Sequence, residues 1–215
     1  MTRHTTTRRS LHGIAEGLLA GPQYQVSGTI RLRVEDDGFS TVAEPSLRVR
    51  AGDLELADGR RVPLRGTFAD VAVAAGLAFT VPTIYRDHAP VGPSDPVVVD
   101  PDAARALLDW FLRGRTALQA VAPTATPVLW PEHFDLSVVV DEVTVGVSPG
   151  DGWREEPYGY AAPWDLATVS ADDRRGFWDA PFGAAMPASA VTDVTALARF
   201  YDEALARVRR ARATR

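Results

Sequence analysis

Three residue types are missing from this chain of 215 residues: it has no cysteine, no lysine and no asparagine. Without cysteine there is no disulfide framework, no thiolate nucleophile and no cysteine metal site. Without lysine neither a Schiff base nor a phosphate-loop ammonium can form, so all 23 basic residues are arginine. No apolar run reaches the roughly 20 residues that a membrane-spanning helix requires. Positive charge is not in excess either: the formal net charge is −5, which argues against a general nucleic-acid binder, since such a protein needs a basic face.

The arginines gather at the ends, Arg3, Arg8 and Arg9 and then Arg207, Arg209, Arg210, Arg212 and Arg215. They are expected as solvated tails and helix-end charges. Arg8-Arg9-Ser10-Leu11 before Leu18-Leu19-Ala20 superficially resembles a twin-arginine export signal, but His12 and Glu16 interrupt the apolar stretch. Leu11, Ile14, Ala15, Leu18 and Leu19 instead fall at helical spacing, and the pattern predicts an amphipathic helix ending at Gly21-Pro22.

Beyond that helix, Val26 to Val34 alternates as a half-buried strand, and Asp36-Asp37-Gly38 marks a turn. Leu47 to Arg50 and Leu54 to Ala57 alternate again, with Asp58-Gly59 as a hairpin turn before Arg60 to Leu64. Thr67 and Asp70 predict a capped short helix that stops at Gly76. Residues 80–99 read as a loop between an N-terminal helix and meander (10–66) and a helix-meander-helix part (100–211). Leu107, Trp110, Phe111, Leu118 and Val121 form the stripe of the strongest helix. Leu136 to Val140 and Val143 to Val147 pair across Asp141-Glu142, Tyr158-Gly159-Tyr160 adds a strand, and a last helix starts near Val191. The expected fold is a single α+β domain, 1–215, with antiparallel sheet from two meanders and helices packed on one side.

What is abundant is aromatic density. Between Trp130 and Phe182 lie nine of the 18 Phe, Trp and Tyr residues, with four of the five Trp, among carboxylates, Gly and Pro. Large rings beside convergent polar groups compose a pocket lining. Trp130, Glu132, His133, Asp135, Asp151, Glu156, Tyr158, Tyr160, Trp164 and Trp178 are the candidate binding residues. His133 and Asp135 are the catalytic candidates: if a strand begins at Glu132, they share one face, where an imidazole two residues from a carboxylate can act as general base or metal ligand. A third ligand would come from Asp151, Glu155, Glu156 or Asp179, and no spacing specifies it, so no metal and no cofactor is expected. The bland alternative is a structural histidine. His4, His12 and His88 are read as surface residues.

Gly146-Val147-Ser148-Pro149-Gly150 matches a serine-hydrolase nucleophile elbow and fails on chemistry. The oxyanion hole needs the N–H of the residue after the serine, and Pro149 has none. No histidine follows His133, and the next segment lacks a helical pattern.

Leu129-Trp130-Pro131-Glu132-His133-Phe134-Asp135, then Gly146 to Asp151, Pro157-Tyr158-x-Tyr160 to Pro163-Trp164, and Phe177-Trp178 to Gly183 occur in one order. Together with the early Leu11-His12 to Gly21 helix, they resemble a group of uncharacterised actinobacterial proteins, an origin that the arginine, alanine, glycine and proline usage also suggests. The resemblance implies a fold and a motif grouping, with no activity attached. The pattern would have Asn near Val145 and at Asp179, and this chain has neither. The expectation is a cytoplasmic binder of a small molecule or protein partner through residues 130–182, with neither nucleic acid nor membrane as partner. The alternative is a hydrolase-type or metal-dependent enzyme using His133.

Overall fold

The computed structural model describes residues 2–50, 52–169 and 176–213; Arg215 of the C-terminal cluster lies outside them. The chain is α+β, with antiparallel sheet and helices, and divides into two compact units: residues 1–109 with 128–134, and residues 110–127 with 135–215.

The first unit opens on a longer helix than the residue pattern predicts. Thr2 caps α1 (Arg3–Ile14) through its side chain, a π-helical turn follows over Ala15–Ala20, and α2 (Gly21–Ser27) continues to Gly28, left-handed at φ 72°. Gly21-Pro22 therefore does not stop the helix. A proline ring clashes with the carbonyl four residues back in a straight α-helix. Widening the turn relieves that clash, and Gly21 N–H bonds to Glu16 O, five residues back. The same continuation corrects the predicted strand at Val26, because β1 begins only at Leu32 (Leu32–Glu35). Arg3, Arg8 and Arg9 belong to the helix and are not a tail; Arg9 Nη2 donates to Pro90 O at 2.8 Å.

Strands β3 (Leu47–Arg50), β4 (Asp53–Leu56) and β5 (Arg61–Pro63) follow as in the predicted meander, β2 (Gly38–Thr41) is a strand that the residue pattern did not predict, and β8 (Val128–Trp130) returns to pair β1. Alternate residues Leu32, Val34, Leu47, Val49, Leu54 and Leu56 are buried. Gln23, with no exposed surface, ties the helix to this sheet. Its Nε2 donates to Thr29 O and Arg31 O, both at 2.9 Å, and its Oε1 accepts from Val42 N and Ala43 N. All four hydrogen-bonding capacities of the amide are used. The capping box of α3 (Phe68–Ala75) forms as expected, with Gly76 as its left-handed stop. Two short strands, β6 (Gly66–Thr67) and β7 (Pro96–Val97), pair with each other, and β7 falls inside the stretch 80–99 expected as loop.

The division between units falls within α4 (Pro101–Val121). The second unit is a four-stranded meander in the order β12-β11-β10-β9: β9 (Asp135–Val140), β10 (Val143–Ser148), β11 (Tyr158–Pro163) and β12 (Ala184–Pro187). Its last strand has no alternation in the sequence to announce it. The helix α5 (Val194–Ala213) and the second half of α4 pack on one face of this sheet. Gly114 of α4 lies against Val147, Gly159 lies against Leu197, and Tyr201 Oη donates to Gly146 O at 2.8 Å. The β9–β10 turn puts two non-glycine residues, Asp141 and Glu142, at positive φ (51° and 58°). Arg209 holds the Asp141 carboxylate at 2.7 Å, and Arg212 reaches Asp141 O and Glu142 Oε2 at 2.9 and 2.8 Å.

Candidate functional site

Period-two alternation assigns the strands of the second unit two different faces. Register pairs Val147 with Leu136 and Gly159, and Val145 with Val138 and Ala161, so these apolar residues share the helix-covered face. Ser137 pairs Gly146, Gly146 pairs Tyr160, and Ser148 pairs Tyr158, which sets Asp135, Ser137, Ser148, Tyr158 and Tyr160 on the other face. That face is polar and yet buried: Asp135 is 6% exposed, Ser137 2%, Ser148 3% and Tyr158 3%.

Two phenol–carboxylate pairs organise it. Tyr160 Oη donates to Asp135 Oδ2, and Tyr158 Oη donates to Asp151 Oδ2. Burial raises both phenol pKa values first, and the negative charges of Asp135 and Asp151 raise them further, so both tyrosines stay protonated donors. Asp151 is also the hub of a loop: its Oδ1 accepts from Trp153 N at 2.8 Å and Arg154 N at 2.9 Å. Tyr160 can lie flat over the sheet because Gly146 beneath it has no side chain; a Cβ there would come within 2.9 Å of the ring.

A ring cluster stands over the pairs. Trp153 meets Tyr158 edge-on at 5.3 Å and Phe182 at 5.1 Å, while Phe182 stacks on Tyr158 at 6.1 Å. Phe182 reaches this place from a tight hairpin tip, since Ala180 and Gly183 exchange hydrogen bonds around Pro181-Phe182. Trp153 is 42% exposed, with the Arg154 guanidinium 5.1 Å from its ring centroid.

Asp135, Asp151, Tyr158 and Tyr160 are thus brought together. The remaining candidates stand elsewhere. Glu156 accepts from Ser189 N and pairs with Arg154; Trp178 is buried against Phe177, and its Nε1 has no hydrogen-bond partner. Trp164 is 67% exposed, its Nε1 donating to Thr144 at the open end of the same face. Trp130 belongs to the first unit, under the Arg31 guanidinium. Glu132 and His133 also belong there, in a turn, and this corrects the expected alternation: the strand starts at Asp135, and Phe134 is left-handed at φ 52°. Such a conformation costs a non-glycine residue about 1 kcal/mol or more. Phe134 is held in it by stacking on His12 and by the edge of Phe39, both at 5.6 Å. His133 is consequently exposed, not partly buried beside Asp135.

Ser148 ends β10, accepts from Gly150 N with its Oγ, and gives its carbonyl to Trp110 Nε1 at 2.9 Å; no helix follows it. Among the described residues, no group of three or more His, Asp or Glu side chains is arranged to hold a metal ion. Sequence reasoning missed Ser137 and placed no role on Trp153. The pairing of Ser137 with Gly146 becomes visible only once the register is known. No protein-family model matches the chain, nor does any curated protein or solved structure. No helix among the described residues is long and apolar enough to cross a membrane.

Proposed function

We propose that the helix-free face of the β9–β12 sheet is a ligand-binding surface, and that the chain is a binder of a small molecule with a flat or apolar side and hydrogen-bonding edges. The carrying observation is the pair of tyrosine–aspartate bonds on a buried sheet face, roofed by Trp153 and Phe182. A face that served only as core would be apolar, because each buried carboxylate must be offset by donors. The rings offer a stacking platform, and Asp135, Ser137 and Ser148 offer edge contacts. The net charge of −5 supports a partner other than nucleic acid or an acidic membrane surface. The same reading carries a cytoplasmic location.

The test is a panel of polyols, nucleosides and aromatic acids, read by tryptophan fluorescence and melting temperature. A true ligand raises the melting temperature and changes the fluorescence of wild type, and Trp153→Leu loses the optical change. If no compound moves either signal, the small-molecule reading fails. A protein partner then becomes the better reading, because Trp164 (67% exposed) and Val139 (51% exposed) lie at the open end of this same face. An enzyme using His133 has less support, since the left-handed Phe134 leaves that imidazole in an exposed turn.

A further inference from the structure

We propose that residues 150–155 form a lid over the helix-free face of the second unit, latched by the bond from Tyr158 Oη to Asp151, and that this lid opens to admit a ligand. The inference rests on the binding reading above and adds how that site is entered.

The groups at this end of the face are covered. Tyr158 and Ser148 are each 3% exposed, although they belong to the helix-free face. Trp153 and Phe182 cover them, with ring centroids 5.3 and 6.1 Å from that of Tyr158. At such exposure neither group can meet a ligand until one of the two covering rings moves.

Phe182 is the fixed one. Ala180 and Gly183 exchange backbone bonds at 2.9 and 3.1 Å around it. The tip also presses on β11, since a Cβ on Gly183 would come within 2.1 Å of Ala161 O. Trp153 is carried differently. Asp151 N donates to Arg154 O at 2.7 Å, and Asp151 Oδ1 accepts from Trp153 N and Arg154 N at 2.8 and 2.9 Å. These bonds close residues 151–154 on themselves, so the indole and its loop form one small body.

Fixed points flank that body. Ser148 O accepts from Trp110 Nε1 at 2.9 Å on one side, and Pro157 O accepts from Ala188 N at 2.8 Å on the other. Between the first fixed point and the body lies Gly150 at φ 94°, and Gly152 has open space where a side chain would stand. Glycines at these places allow the backbone to turn without a clash. The carboxylate that organises the loop also ties it down, because Asp151 Oδ2 accepts from Tyr158 Oη. That bond and the contacts of the Trp153 ring can break without disturbing the β10–β11 ladder. Trp153 itself is already 42% exposed.

The experiment uses the absence of cysteine from the chain. Ser148→Cys places a thiol beneath the lid, and Val145→Cys places one on the helix-covered face, where exposure is 0%. Both are treated with a neutral thiol reagent and no ligand. Ser148→Cys is expected to react at least about tenfold faster. Adding Tyr158→Phe should speed Ser148→Cys a further tenfold or so, the worth of a lost hydrogen bond to a carboxylate, and leave Val145→Cys unchanged. Fluorine NMR of the chain carrying 5-fluorotryptophan follows Trp153 directly, its resonance assigned by its loss in Trp153→Leu. Tyr158→Phe should move that resonance toward the open form, and this signal carries the test if Ser148→Cys does not fold. Equal rates at the two thiols overturn the proposal, as does an equal acceleration of both by Tyr158→Phe. A Trp153 resonance that Tyr158→Phe does not move overturns it too. Neither measurement contains a ligand, so a compound panel without a hit sinks the binding reading and leaves the lid standing. A loop that stays shut sinks the lid and leaves a ligand the outer side of Trp153, which the panel still detects.

Discussion

The two units bury polar groups by different devices. In the second unit the carboxylate of Asp135 and the phenols of Tyr158 and Tyr160 stand on adjacent strands whose ladder fixes their spacing. In the first unit Glu16 is aimed by a defect, a π-helical turn forced ahead of Pro22, and its partners His88 and Ala89 come from a loop. A ladder positions side chains through many equivalent backbone bonds. A defect positions one side chain through a local exception, and nearby close contacts must hold that exception in place. The glycines show the contrast. Gly13, Gly17 and Gly21 lie along one helix row, against Val91 and Phe68, Phe79, and the Thr80 carbonyl respectively. Thr80 N also donates to Gly17 O at 2.9 Å.

The sharpest way to break the comparison is to add one methyl group in each unit. At Gly21 the new Cβ overlaps the Thr80 carbonyl oxygen, which is backbone and cannot step aside. Gly21→Ala is expected to cost more than about 3 kcal/mol in denaturant unfolding. Gly146→Ala meets Leu136 O at 2.6 Å, Ser137 Cβ at 2.7 Å and the Tyr160 ring at 2.9 Å, a shallower overlap than the 1.6 Å at Gly21. About 1–3 kcal/mol is expected there, with loss of the Trp153 response. Equal costs at both positions would remove the distinction.

The next effect is set by pH. Burial lowers the His12 pKa from 6.5 to about 4, so the unfolded chain takes up this proton more readily than the folded one. His12 therefore contributes full stability above about pH 6.5, and the contribution is lost as pH falls toward about 4. Across that window the loss should be about 1–3 kcal/mol, the lower figure reflecting partial exposure. His12→Gln should flatten the pH profile of melting temperature there. An unchanged slope would show that His12 is not held neutral. The smallest effect belongs to the surface. Arg209→Ala removes an ion pair with half-exposed partners and should cost about 0.5–1 kcal/mol, plus whatever turn strain it releases.

How much of this was legible in the residues follows the same contrast. The meanders, the Thr67–Asp70 capping box and the α4 and α5 stripes were readable because their signals are local and periodic. Tyr158, Tyr160, Asp135 and Asp151 were picked from aromatic and carboxylate density, and strand pairing brings them together. The left-handed Phe134 was not readable, because stacking on His12, 122 positions earlier in the chain, is what stabilises it. For the same reason Glu16 looked like an interruption of an apolar stretch and His88 like a loop residue. Their 2.7 Å contact spans 72 positions. Helix propensity likewise misplaced the end of α2, since a widened turn lets the chain carry a proline that normally ends a helix.

The Asp141-Glu142 turn has a consequence for the order in which the chain can be completed. Two non-glycine residues at positive φ make a poor hairpin seed, and the guanidiniums that brace them arrive 68 and 71 residues later. During synthesis β9 and β10 leave the ribosome well before α5. The braces on this turn therefore become available only after both of its strands have been made.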